Sequence, residues 1–205
     1  MMAFDNPRST WNQRFTTPEY VFGEAPNAYL VAQQHHLVPG RLLALADGEG
    51  RNSVHLATQG WQVDAFDFAE AAVEKAKSLA RQRGVVVNFT CADCDEFDWG
   101  ESRYDNVVGI FFQFAGPDER RVIFERIDRC LKPGGVVLIQ GYGLEQLQFN
   151  TGGPGRLAHL YADTLLADAF PDYTVLDSRT YVAELSEGKG HAGPSALVGF
   201  VARKR

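Results

Sequence analysis

The sequence is poor in sulfur: 3 cysteines and 2 methionines in 205 residues. So small and odd a number of thiols argues against a disulfide framework and fits a reducing compartment. Cys91 and Cys94 form a C-x-x-C, but no second cysteine or histidine pair stands at zinc-site spacing. The pair also follows the strand-like VVVNF instead of opening a helix, as a redox motif would. Both read as ordinary buried or loop thiols, and no metal is expected. Positive charge is short as well. The 20 Lys and Arg are outnumbered by 26 Asp and Glu, for a formal net charge of −6. That leaves no electrostatic footprint for nucleic acid or an anionic membrane. No run approaches the ~20 apolar residues of a membrane span. The opening MMAFDNPRST lacks an apolar signal core, so a cytoplasmic protein is expected, with neither nucleic-acid nor membrane partners. Repeats and low-complexity linkers are missing too, and residues 1–205 read as one domain.

What is present centres on Leu42–Asn52, LLALADGEGRN. An apolar run stops in Asp47-Gly48-Glu49-Gly50, and a helical pattern follows: strand, glycine turn, helix, the first half of a βαβ unit. Ahead of it, residues 1–16 are polar and irregular, and Thr17–Leu30 interleaves Tyr20, Phe22 and Tyr29 with Pro and Gly as a lid over the core. Asn27–Leu37 is a short helix. Strands are expected over Leu42–Ala46, Trp61–Phe66, Val85–Phe89, Tyr104–Phe112 and Val136–Ile139. Helices are expected over Asn52–Thr58, over Ala69–Arg83, and from Pro117 on, with Val122, Ile123, Ile127, Cys130 and Leu131 as its stripe. This alternation defines an α/β, Rossmann-like doubly wound sheet, mostly parallel. A loop over Tyr142–Gly155, a helix over Arg156–Phe170 and two long strands, Tyr173–Leu185 and Ala196–Arg203, complete it. The last pair, joined by SEGKGHAGP, adds antiparallel strands at the edge.

Several features bear on chemistry. Gly48 and Gly50 give G-x-G, but position 53 is Ser, so the third glycine of a dinucleotide fingerprint is missing. That favours a cofactor without a pyrophosphate. Asp67 stands about 20 residues past the turn, at the end of the second strand, where a carboxylate can accept both ribose hydroxyls or cap the next helix. These residues, with Ala92-Asp93 after strand three and LKPGG before strand five, resemble the class I S-adenosylmethionine-dependent methyltransferases. WNQRF, EYVFGEAPN and LEQLQFNTGGP resemble the small bacterial members related to the tellurite-resistance and thiopurine methyltransferases.

The resemblance implies a seven-stranded sheet and S-adenosyl-L-methionine as cofactor. Residues 1–40 would be lid and helix, 41–140 the cofactor half, and 141–205 the acceptor side. Ala46, Asp47, Gly48 and Gly50 would cradle methionine and ribose, Asp67 the ribose hydroxyls, and Phe68 the adenine face. Asp93 would take the adenine amino group with Cys94 beside it, Phe112 would sit near the sulfonium, and Arg14 would pair with the cofactor carboxylate. Many members carry an acidic residue where Ala44 stands and a glycine where Ala46 stands, a contact that Asp47 or Glu49 could replace. Methyl transfer needs positioning and exclusion of water more than a covalent intermediate. Tyr20, Phe22, Phe112, Phe114 and Tyr142 could offer rings to the sulfonium or simply pack. His191, in the glycine-rich turn with Glu187 four residues earlier, is the candidate base, and Tyr142 and Gln146 are candidate acceptor contacts. The expected partner is a small-molecule methyl acceptor and the expected state a monomer or weak homodimer. A nicotinamide-dependent oxidoreductase and a non-catalytic S-adenosylmethionine-binding module are the alternatives.

Overall fold

The computed structural model describes residues 7–149, 151–188 and 190–205. Its seven strands are β1 (Arg41–Leu45), β2 (Gln62–Asp67), β3 (Val87–Cys91), β4 (Tyr104–Ile110), β5 (Leu131–Tyr142), β6 (Tyr173–Glu187) and β7 (His191–Lys204). They form one sheet in the order β3-β2-β1-β4-β5-β7-β6. Pairing is parallel from β3 across to β5, and β7 is antiparallel to both β5 and β6. Strand order reverses between β1 and β4, and in such sheets ligands bind beyond the carboxyl ends of the strands at that point.

Alternation along β1 shows why the sheet is covered on both faces. Leu43 and Leu45 join a core with Phe66, Ile123, Ile127, Ile139 and Phe200, while Leu42 and Ala44 join another with Leu30, Leu56, Val108 and Val201. The first core is closed by α5 (Pro117–Cys130), the second by α2 (Ala28–Gln33) and α3 (Arg51–Thr58). Proline in the first turn of α5 needs no N–H partner, and Glu119 accepts from the Gly116 N–H at 3.0 Å. In α4 (Glu70–Arg83), Ala72, Val73, Ala76, Leu79 and Ala80 are buried, as their spacing predicts, and Gly84 ends the helix at φ 68°.

Three expectations are corrected. Pro7–Phe15 forms a helix, α1, where an irregular segment was expected, and its Phe15 packs on Ala69 and Ala72. Arg156–Phe170 is not one helix: a 3-10 turn (Leu157–His159) and the short α6 (Leu165–Ala169) flank an extended stretch in which Tyr161 bridges Gly143. That bridge, with Tyr161 N–H donating to the Tyr142 carbonyl at 2.9 Å, overrides a helix-compatible apolar pattern. Where a long turn from Ser186 to Pro194 was expected, β6 and β7 instead pair out to Glu187 and His191. Smaller shifts move β3 two residues onward from Val85–Phe89 and end β4 at Ile110. No helix among the described residues is long and apolar enough to cross a membrane.

Candidate active site

The glycine turn follows β1 directly. Ala46 (φ 48°), Gly48 (φ 59°) and Gly50 (φ 87°) take left-handed conformations that fold the backbone sharply into α3. A Cβ on Gly50 would lie 2.6 Å from the Ala76 Cβ. Gly50 therefore supplies the close helix approach that the missing third glycine left unexplained. Ser53, at that third position, instead donates its hydroxyl to the Asp47 carboxylate.

Asp67, at the end of β2, accepts the Gly48 N–H at one oxygen and the Ala69 N–H at the other, both at 2.9 Å. It thus serves the loop and the start of α4 together, each oxygen keeping a lone pair for a ligand hydroxyl. Burial pushes the Asp67 carboxyl up to about 6, against hydrogen bonds that favour its charge, and pushes Asp47 up to about 7. Raised acid pKa values stabilise the fold below the ordinary carboxylate range, and that stability is lost as pH climbs through 6 to 7. The ligand-free protein is expected to melt at lower temperature at pH 8 than at pH 5. A cationic ligand bound at these carboxylates should flatten the difference, and thermal denaturation at both pH values checks it.

A cavity of about 210 Å³ opens above the carboxyl ends of β1 and β4. Arg14, Ala46, Asp47, Gly48, Asp67, Phe68, Phe112, Tyr142 and His191 all line it. A second cavity, of about 350 Å³, shares Ala46, Asp67, Phe68 and Phe114 and extends past Asp93, Cys94 and Arg126. One cleft therefore runs from Asp93 to His191. Asp93 accepts the N–H groups of Asp95 and Glu96, both at 2.9 Å, which fixes its carboxylate at the rim. Burial pushes the Cys94 thiol up to about 12, so it is no nucleophile at neutral pH.

Other candidates are placed elsewhere. Gly50 lies behind the loop. Gln146 is buried outside the cavity, donating to Thr151 Oγ1 and the Gly152 carbonyl and accepting from Ala196 N–H at 2.8 Å; it holds the 151–153 turn instead of facing a ligand. Tyr20 also stands outside, its hydroxyl on the Lys75 carbonyl at 3.2 Å. Glu49 turns away from the cleft, pairs with Lys75 at 2.7 Å and accepts the N–H groups of Val21 and Phe22. It clamps the lid to the glycine turn.

His191 opens β7 and is buried, not exposed in a turn. Its Nδ1 stands 2.6 Å from the Tyr142 hydroxyl, and Phe111 and Phe22 lie against its ring at 4.3 and 4.5 Å between centroids. Burial first, then the charges of Arg51 and Arg14, push its pKa down to about 3, so the imidazole is neutral. Glu187 does not pair with it. That carboxylate binds Arg51 at 2.7 Å and Asn27 Nδ2 at 2.9 Å, tying the lid and α3 to the hairpin. The guanidinium of Arg14 sits over Trp11 and Phe22, with Nη2 beside Gly190. Sequence reasoning missed Phe111, a non-glycine residue at φ 55° in the cavity wall, and the Arg51–Glu187 pair. The apolar string Ile110–Phe112 gave no sign of a strained turn. The pair joins residues 136 positions apart, beyond any local signal.

Sheet order, the antiparallel last strand and a cleft across β1 and β4 define the class I methyltransferase architecture. The methyltransferase domain family matches residues 42–135. A carboxy-S-adenosyl-L-methionine synthase of Vibrio vulnificus is 27% identical over 152 residues, covering 71% of this chain but only 60% of that relative's length. TehB from Haemophilus influenzae shares the fold at a TM-score of 0.72 and 18% identity, over 97% of this chain and 67% of that one. So does a Burkholderia thailandensis 1,6-didemethyltoxoflavin-N1-methyltransferase, solved with its substrate and S-adenosylhomocysteine (TM-score 0.67, 23% identity, 96% and 84% covered). The match over residues 42–135 and these relatives make the chain similar to S-adenosylmethionine-dependent methyltransferases, and the chain spans about 60% of the length of the first of those relatives.

Proposed function

We propose that this chain methylates a small-molecule acceptor by in-line displacement. The observation that carries the reading is the single cleft in which Asp67 fixes Gly48 at one end while an aromatic chamber encloses His191 at the other. The residues present fit the cofactor: Asp67 is a buried carboxylate and Asp47 a partly buried one, close to a glycine turn, and among the described residues no basic side chain bonds to either, an arrangement that suits a cationic ligand. S-adenosylmethionine supplies a methyl group activated by its bond to a sulfonium. Asp67 holds ribose hydroxyls, Phe68 flanks the adenine, and Asp93 with the Cys94 backbone reads its amino edge. Ala46, Asp47 and Gly48 lie along the methionine portion, and Phe112 walls the reacting centre. Arg14, over Phe22 and beside Gly190, adds positive charge at the His191 end of the cleft. The lid residues Trp11, Phe15 and Phe22 exclude water.

Calorimetric titration with S-adenosylmethionine and S-adenosylhomocysteine tests this. Binding of both is expected. Absence of heat at millimolar ligand would overturn the reading, and binding of NADH in their place would restore the oxidoreductase alternative.

A further inference from the structure

We propose that the methyl acceptor reacts as an anion, a thiolate or an acidic aromatic hydroxylate, held by a hydrogen bond from the Nε2–H of His191. The proposal rests on the methyltransferase reading above.

Proton placement carries it. The Tyr142 hydroxyl is buried, and His191 Nδ1 is the one acceptor within hydrogen-bond distance among the described residues. The proposal assigns the proton in that bond to the Tyr142 hydroxyl, with Nδ1 accepting. A neutral imidazole has a single N–H, so that proton resides on Nε2. The His191 side chain is 8% exposed and lines the cavity, and its Nε2 has no partner among the described residues. An unmet buried donor facing a cavity fits a ligand acceptor atom.

The same geometry removes the general base. Nε2 already carries a proton, and Nδ1 is occupied by Tyr142. Arg14 and Arg51 oppose a second proton on the ring. Glu187, beyond Arg51, is committed to that guanidinium and to Asn27. Asp47 is engaged by Ser53, and Asp67 by Gly48 and Ala69, at the far end of the cavity. Among the described residues around His191 none is free to take a proton from the acceptor, so the proposal has the acceptor arrive without it. Its lone pair forms the new bond to the methyl carbon, the carbon–sulfur pair returns to sulfur, and no proton is left to remove. Positive charge from Arg14 favours that anion and repels a protonated amine, since Arg51 is balanced by Glu187. The rings of Phe22 and Phe111 on His191 suit a flat body behind the reacting atom.

The test uses the full chain saturated with S-adenosylhomocysteine, titrated with 4-nitrobenzenethiol, 4-nitrophenol and benzylamine, with the absorbance of the ionised nitroaromatics as readout. The thiol and the phenol should bind as anions, with spectral shifts. With S-adenosylmethionine, the pH dependence of methylation should follow each acceptor's own ionisation. His191→Phe should weaken anion binding about 10- to 100-fold, the size of one hydrogen bond to a charged group, with S-adenosylhomocysteine affinity kept. Tyr142→Phe should retain anion binding but add a pH dependence, because Nδ1 is freed. Faster methylation of benzylamine, a rate profile set by the protein whatever the acceptor, or bound S-adenosylhomocysteine without a shift from either anion would each overturn the proposal. Failure of S-adenosylhomocysteine to bind would instead sink the methyltransferase reading beneath it.

Discussion

Asp67→Asn is expected to weaken S-adenosylmethionine binding by about 100-fold while leaving the protein folded. The carboxylate accepts a backbone N–H at each oxygen. An amide keeps one acceptor and turns its NH2 toward the other N–H, so a buried donor loses its partner, at about 1–3 kcal/mol. The variant also loses a charged acceptor for the ribose hydroxyls, a contact of about 1.5–3 kcal/mol. Part of the first effect falls on the empty protein as well, since Gly48 needs its anchor with or without ligand. Removing a charge that burial already disfavours offsets some of that loss. Affinity should therefore suffer more than melting temperature. Calorimetry and thermal denaturation on the same sample separate the two, and an unchanged affinity would show that the carboxylate is a helix cap and loop anchor only.

Gly50→Ala should destabilise the fold by about 2–5 kcal/mol. The residue sits at φ 87°, where an L side chain costs about 1–2 kcal/mol. The added methyl would stand 2.6 Å from the Ala76 Cβ and 2.8 Å from its Cα, contacts with the wall of α4 that backbone movement alone can relieve. Overpacking of this kind costs about 1–3 kcal/mol. Urea unfolding measures the total. Adding Ala76→Gly to the variant should return part of the loss, despite the weaker helix propensity of glycine. Strict additivity of the two substitutions would rule out the clash as the cause.

Much of the cofactor half was legible because its determinants are local. The run Leu42–Leu45, the left-handed glycines and Asp67 are set by neighbours a few residues away or one βα unit apart, and the structure gathers them at one sheet edge. The acceptor half was legible in outline only. His191 reads from the sequence as a candidate base in a glycine-rich turn, whereas it opens β7, because the reach of β6 and β7 depends on pairing across the whole hairpin. Gln146 looks like a pocket residue by its place after β5, yet its amide is taken up by Thr151, Gly152 and Ala196. The segment 156–170 carries a helical spacing that loses to the bridge between Tyr161 and Gly143. Glu49 shows the reverse case. It stands in the most recognisable motif of the chain, and its work is to hold Val21 and Phe22.

The short tip of the β6–β7 hairpin couples two properties that could otherwise vary independently. Glu187 on one side fastens the lid, and His191 on the other faces the chamber, with Gly188 and Gly190 lying so close to Val21 and Phe22 that any Cβ there would collide. Acceptor range therefore cannot be retuned by grafting a foreign tip onto this scaffold. A longer or bulkier insert would prise the lid from the glycine turn as it reshaped the chamber, and it would press on the 151–154 turn as well, since Thr151 Oγ1 donates to the Pro194 carbonyl and Gly152 lies against Gly190.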